Sequence, residues 1–600
     1  MPGGIRRVEW FCLAFSLVVA IVLRCAWLNR ADIEHFDEGV YAANVYSPET
    51  DFKYPFRDLY APPLFPEMAA WGVTLADDPR GAVWVSLLGG ILTIPVVWWT
   101  ARSWFGPAAG GLVAMLAATS EFHIWLSRSA LTDVWLCLWM TAGAYAGWRG
   151  LLTGRPLWLF AAGGLAALAW WTKYNGWLTL AIVGGGWLLS AAATWWRPGR
   201  SEREGKRGDE AVPVPAALLR GAGIAAAAGA LWYPVWKGLA PIGGYAAVAK
   251  NHAGYFVGAA GWFGSLVRQV AVQQGVAGGV TFVGALLAGA VTALLLRQAT
   301  AERAAGEDGA GWRGKASLIG VAWFALCYFG SQAIGAVSVA ASMLVLYARE
   351  PFLAGLDADQ RRARWLAWGF ATAWLGGLSL AVPLYRPYPR LALPWLVGTW
   401  FAIGAGVPWV MGSLSPAWRR RRDLVGAAIL AVSFAFPVVR QMTSGVATNV
   451  AWEDRTGLRR AAAQLQQAIA SHIREVPPTR LPKIDAVLYV VGEPALFCHL
   501  AAAEPRSPLR YAVVANANLD LLRSGKPDPR VPTYILLGER AAKAERGDLE
   551  RNANGLIRVP VSPFPQSFLV RLDDIPSWVG QALEEDRMND LECYYLKADR

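Results

Sequence analysis

Cysteine is scarce in this 600-residue chain. Six are scattered along it, with no Cys-x-x-Cys pair and no His/Cys ligand spacing, so neither a disulfide scaffold nor a zinc site is indicated. Cys12, Cys25, Cys137 and Cys327 fall inside apolar blocks, while Cys498 and Cys593 are able to pair only if their domain lies outside the cytoplasm. Charge is scarce as well: 17% of residues are charged against 55% hydrophobic, and the mean hydropathy is +0.31. That balance excludes an ordinary soluble multidomain protein. The turn Val491-Gly492-Glu493-Pro494 lacks a glycine-rich phosphate fingerprint, so nucleotide binding there is not expected. The net charge of +12 is no nucleic-acid signal either. Its basic residues sit in short hydrophilic breaks such as Arg419 to Arg422, a run without interleaved aromatics, and the bias of Lys and Arg toward cytoplasmic loops explains them.

What the chain does have is apolar blocks of bilayer-spanning length. A spanning helix needs about 20 mainly apolar residues. Residues 10–27 come close, and Arg6 and Arg7 ahead of them orient the N-terminus toward the cytoplasm. A cleaved signal peptide is the weaker reading, because many more blocks follow. These run roughly over 81–100, 107–125, 133–149, 157–172, 176–196, 213–235, 275–297, 316–330, 333–348, 364–384, 391–411 and 423–441. The total is about 13 spans. The breaks holding Arg149 and Arg155, Arg197 to Arg207, Arg297 to Lys315, Arg349 to Arg364, and Arg419 to Arg422 all fall inside only if 316–330 and 333–348 count as two spans. The expected fold is therefore a polytopic α-helical membrane protein with residues 1–441 in the membrane part.

On this topology the external loops are residues 28–80, 121–133, 172–175, 236–274 and 383–390, and nearly every unusual polar residue falls on that face. Residues 442–600 change to the composition of a soluble domain. Residues 458–473 have helical periodicity, and 486–491, 511–514 and 534–537 read as buried strands, so a small external α/β domain is expected.

Ionisable groups at a membrane boundary are costly enough to point to function. The most concentrated set is His35-Phe36-Asp37-Glu38-Gly39-Val40-Tyr41, directly after the first span. Asp37 is the candidate base, with a helix N-cap or a solvated charge as its bland alternative. Glu38 reads equally well as a helix-start carboxylate, and Asp133 as an N-cap. A lone His35 beside carboxylates is a hydrogen-bond partner more readily than a metal ligand, so no cofactor is firmly expected and a divalent ion only weakly. Residues 237–268, with Tyr245, Asn251, His252 and Tyr255, have the length of a lid or acceptor platform.

The Asp37-Glu38 pair, Arg128-x-x-x-Thr132-Asp133, Lys173 after the fifth span and Tyr388-Pro389-Arg390-x-x-x-Pro394 resemble the GT-C class of membrane glycosyltransferases. The protein O-mannosyltransferases and the bacterial lipid A aminoarabinose transferases are the nearest in pattern. The resemblance implies inverting transfer of a sugar from a polyprenyl-phosphate donor to a lipid, protein or glycan acceptor, on the external face of the cytoplasmic membrane. Asp37 would take the acceptor proton, Glu38 and Asp133 would position substrates, and Arg386 and Arg390 would grip the leaving phosphate with forked donors. Tyr385, Tyr388, Lys173, Arg128 and Tyr41 complete the candidate substrate contacts. The aminoarabinose transferases carry a Lys before the Pro-Pro of the first external loop; Ala61 stands there in this chain, before Pro62 and Pro63, leaving Lys53 and Arg57 as its substitutes. A transporter or lipid flippase is the alternative class, but it calls for repeats and midplane charges, and no repeat is evident. A catalytically inert membrane scaffold would leave the external polar residues unexplained.

Overall fold

The computed structural model describes residues 7–46, 57–195, 212–276, 357–413, 450–475, 484–507, 509–516, 531–538, 541, 547, 556–571, 588–589 and 591–596. The chain divides into two compact units: Met1–Cys25 with Leu88–Leu126 and Thr132–Val446, and Ala26–Leu87 with Ser127–Leu131 and Ala447–Arg600.

The first unit is helical. By length and apolar composition, five described helices are able to cross a membrane: Arg7–Cys25, Gly81–Phe105, Tyr174–Ala193, Val214–Gly238 and Ala358–Leu384. Pro107–Thr119 and Glu121–Ser127, bent by 60° at Ser120, make a sixth if they form one span. Pro156–Thr172 and Ala392–Val407 are shorter apolar helices, and Asp133–Thr153 is a nearly buried one. The expected blocks at 275–297, 316–330, 333–348 and 423–441 lie outside the described residues, and so does the question of one helix or two at 316–348. Helix ends follow local chemistry. Pro156 starts its helix at a position where a missing N–H costs nothing, and Gly154, at φ +64°, ends the preceding one.

Lipid supplies no hydrophobic drive between helices, so close van der Waals packing has to hold them. Helix Leu178–Trp195 meets helix Ala358–Ala381 where a Cβ on Gly369 would stand 2.1 Å from the Gly186 carbonyl oxygen. Around them Trp104, Phe370, Phe401 and Trp374 form a chain of ring contacts at 5.1–5.8 Å. Glu9 and Arg102 close a buried ion pair at 2.7 Å, and Arg24 donates to the carbonyls of Ala117 and Ala118 at 3.0 Å. These pairings answer the requirement that charge inside a bundle have partners.

The second unit carries an α/β core. Its five-stranded sheet has the order β2-β1-β3-β7-β4, with β1 (Ala486–Val491), β2 (Tyr511–Asn516), β3 (Thr533–Leu537), β4 (Leu556–Val559) and β7 (Glu592–Leu596), while β5 (Phe564–Pro565) and β6 (Met588–Asn589) pair separately. β1 pairs parallel with β2 and β3, while β7 runs antiparallel to β3 and β4. The strands expected from sequence are the three parallel ones; β4 and β7 carry no comparable apolar run. Val491, Ile535, Leu537, Ala541 and Tyr594 make a core cluster. Buried Leu488, Ile535 and Leu537 each contribute about 1.5–3 kcal/mol by leaving water. Helix Gly457–Glu475 is tied to the sheet by His472 Nδ1 and the Tyr534 hydroxyl at 2.9 Å, and helix Pro494–Ala503 by the Tyr511 hydroxyl donating to Leu500 O at 2.7 Å. Cys498 and Cys593 are both buried and free, so the pairing left open by the sequence does not occur.

Residues 28–80 are not a plain polar loop. They include the helices Phe36–Ala42 and Arg57–Tyr60, too short for hydrophobic periodicity to declare them, and the 13-residue helix Leu64–Ala76.

Candidate active site

In the second unit, the helix Phe36–Ala42 carries Asp37, Glu38 and Tyr41. It begins with a capping box: His35 Nδ1 accepts the Asp37 N–H at 3.1 Å, and Glu38 Oε2 accepts the His35 N–H at 2.8 Å. Glu38 is fully buried. Its Oε2 also takes the Glu34 N–H at 2.9 Å and the guanidinium of Arg455, and its Oε1 takes the Ala130 N–H at 2.7 Å. Burial pushes this carboxyl up, yet the charge and hydrogen bond of Arg455 and the two backbone donors outweigh it and hold Glu38 below the usual carboxylate range. Asp37, one residue earlier, is only partly buried.

Tyr41 is buried edge-on against Phe65 at 5.5 Å. Arg57 is buried in ion pairs with Glu67 at 2.9 Å and Asp58 at 3.7 Å. Arg128 donates to the carbonyls of Ala26 and Trp27 at 2.6 and 3.0 Å. Lys53 lies outside the described residues.

Sequence reasoning missed the C-terminal side chains that gather around this helix. Arg455 Nη1 donates to Arg128 O at 2.9 Å and Ser129 Oγ at 3.2 Å. Arg459 grips Asp32 at 2.6 Å and Asp78 at 2.7 Å; despite burial, hydrogen bonds from Arg459 and Arg80 hold Asp78 below the usual range. His499 Nε2 meets Ile33 O at 2.9 Å. A usable signal was present: arginines just beyond the last apolar block, on a face expected to be poor in them, are as unusual as Arg386 and Arg390.

In the first unit, Asp133 and Lys173 come together at 2.7 Å. Asp133 is the first residue of its helix rather than the cap, which is Thr132. Its Oδ1 takes the Lys173 ammonium, and its buried Oδ2 has no hydrogen-bond partner among the described residues. Next to Lys173, the Tyr174 ring packs edge-on against Trp232, Tyr245 and His252. The late loop docks on the same stretch: the Arg386 N–H donates to Tyr255 O at 2.7 Å, and the Val257 N–H to Leu384 O at 2.8 Å. Tyr385 packs on Phe256 at 5.5 Å, and Tyr388 on Tyr255 at 6.3 Å. Arg390 is buried, 2.7 Å from the Tyr388 hydroxyl and stacked over that ring at 4.8 Å, while Arg386 is exposed. The structure thus joins residues 255–257 to Leu384, Tyr385, Arg386 and Tyr388, with Arg390 held against Tyr388. Among the described residues no group of three His, Cys, Asp or Glu side chains is placed to hold a metal ion.

Residues 58–207 match the family profile described as dolichyl-phosphate-mannose-protein mannosyltransferase, so the resemblance read from short motifs recurs over a continuous quarter of the chain. No curated protein matches the sequence. Among solved structures, ArnT from Cupriavidus metallidurans bound to undecaprenyl phosphate is similar at TM-score 0.49 and 15% identity, covering 98% of each chain. The Archaeoglobus fulgidus oligosaccharyltransferase in complex with Zn and sulfate gives 0.48 at 12% identity, over 91% of this chain and 70% of that one. The Archaeoglobus fulgidus oligosaccharyltransferase AglB with an inhibitory peptide and a dolichol-phosphate gives 0.43 at 10% identity, over 88% and 69%.

Proposed function

We propose, from the mannosyltransferase-family match over residues 58–207, that this protein transfers a sugar from a polyprenyl-phosphate donor to an acceptor hydroxyl on the external face of the cytoplasmic membrane. The acceptor oxygen attacks the anomeric carbon, the bond from that carbon to the phosphate oxygen breaks with inversion, and the polyprenyl phosphate leaves as an anion. Asp37 takes the acceptor proton, and a carboxylate within about 2.6–3.2 Å of the hydroxyl is suited to that task. The observation that carries this reading is the difference in burial within one helix turn: Glu38 is fully buried, whereas Asp37 is only partly buried.

Arg390 and Arg386 receive the phosphate, with Lys173 as a further cation, and Asp133 offers its second oxygen to a substrate hydroxyl. Glu38 serves by orienting the helix that bears Asp37. Residues 1–441 form the membrane catalytic part and residues 442–600 an external α/β domain.

Membranes containing the protein are supplied with a panel of radiolabelled polyprenyl-phosphate sugars. The wild type labels an acceptor from at least one of them, and Asp37→Asn loses roughly 10²–10⁴-fold of that rate with expression and insertion unchanged. Near-normal turnover by Asp37→Asn refutes the assignment of the base.

A further inference from the structure

We infer that Arg455 is a positioning residue, through which the C-terminal part clasps the acidic helix and fixes the direction in which Asp37 presents its carboxylate. This rests on Asp37 being the base.

The geometry behind it is a convergence of two distant chain segments, 30–38 and 128–129, on one arginine. Arg455 is 3% exposed. Its backbone N–H donates to Arg30 O at 2.9 Å, one Nη reaches Arg128 O and Ser129 Oγ, and the other reaches Glu38. Glu38 in turn collects the N–H groups of Glu34, His35 and Ala130. Residues 30–38, 128–130 and 455 therefore share one hydrogen-bond network. A planar fork with fixed donor directions sets orientation in a way that a mobile ammonium does not.

Two neighbouring contacts act in the same sense. Arg459, at the start of the following helix, grips Asp32 and Asp78. Helix Pro494–Ala503 meets the acidic helix so closely that a Cβ on Gly39 would lie 2.1 Å from the Ala495 nitrogen, and Cys498 Sγ contacts Gly39 O at 3.5 Å. Buried ion pairs contribute little net stability against an apolar replacement, and their best-attested use is to specify register. An ion pair beside the base is placed for that use.

The test compares Arg455→Gln, Arg455→Lys and a control, Arg460→Gln, whose ion pair with Asp454 is exposed, all in the full-length protein. Amide hydrogen exchange is followed over 31–42, 127–131 and the strands 486–491 and 533–537. Initial rates are measured in membranes against the concentration of labelled polyprenyl-phosphate mannose. Arg455→Gln is expected to speed exchange by roughly 100-fold or more over 31–42 and 127–131, with the strands unchanged. Its apparent kcat falls about 100-fold while the donor KM moves less than about threefold. Arg455→Lys recovers part of kcat, and Arg460→Gln matches the wild type. Wild-type exchange over 31–42 in Arg455→Gln overturns the clasp, as does equal loosening of the strands. A wild type that transfers sugar from no member of the panel of labelled polyprenyl-phosphate sugars sinks the transferase reading, while the exchange data still judge the clasp.

Discussion

Glu34, three residues ahead of Asp37, is wholly buried, and its Oε2 has no hydrogen-bond partner among the described residues. Burial pushes its carboxyl up to about 8; the nearby Glu453 and Glu38 charges add to this, against Arg455 and Ser567. The folded protein thus holds this proton more tightly than an unfolded chain, whose Glu titrates near 4.3. The stabilisation is complete below about pH 4, declines above it and is gone once pH has risen through about 8. Melting of the purified protein is expected to weaken from pH 6 to 9, and Glu34→Gln to flatten that slope; an unchanged slope in the variant rules Glu34 out as its source. Glu38→Gln is expected to cost residues 31–42 about 3–5 kcal/mol of local stability, because it leaves Arg455 buried beside a neutral group, as amide hydrogen exchange will read. At this scale the sequence disclosed Asp37 and Glu38 as a conspicuous pair next to a span. It did not disclose that one of the two faces inward, since orientation on a helix this short depends on partners far along the chain.

Among elements, the helices of the first unit were legible because a bilayer demands long apolar runs, and such runs are visible without knowing any neighbour. The break at Ser120 within one expected block was not, because both arms are apolar. Short helices in residues 28–80 and the antiparallel strands β4 and β7 also escaped; their residues are chosen by what covers them. Gly39 shows the same dependence. Nothing local marks it, yet the Pro494–Ala503 helix leaves no room there for a side chain. Gly39→Ala is expected to lower the melting temperature through overpacking of about 1–3 kcal/mol and to cut transfer. Gly221, where nothing lies within 4 Å, is the comparison site, and an equal, small effect at both positions defeats the argument.

On the scale of the whole molecule, the change of composition over residues 442–600 was plain in the sequence. That residues 26–87 join them in one compact unit was not, because Glu38 and Arg455 lie 417 positions apart and no periodicity reaches so far. A chain ending at residue 446 is expected to insert normally but to be cut readily by protease within 26–87, while the helices of the first unit stay protected. Resistance there equal to that of the intact protein removes the C-terminal part from any role in holding the acidic helix.

The separation between Glu38 and Arg455 also orders events in time. The acidic helix is synthesised well before the side chain that clasps it, which follows 417 positions after Glu38. If Asp37 is the base proposed above, its helix stays unclasped until Arg455 has been made, and a partly synthesised polypeptide is spared premature chemistry on its own neighbours.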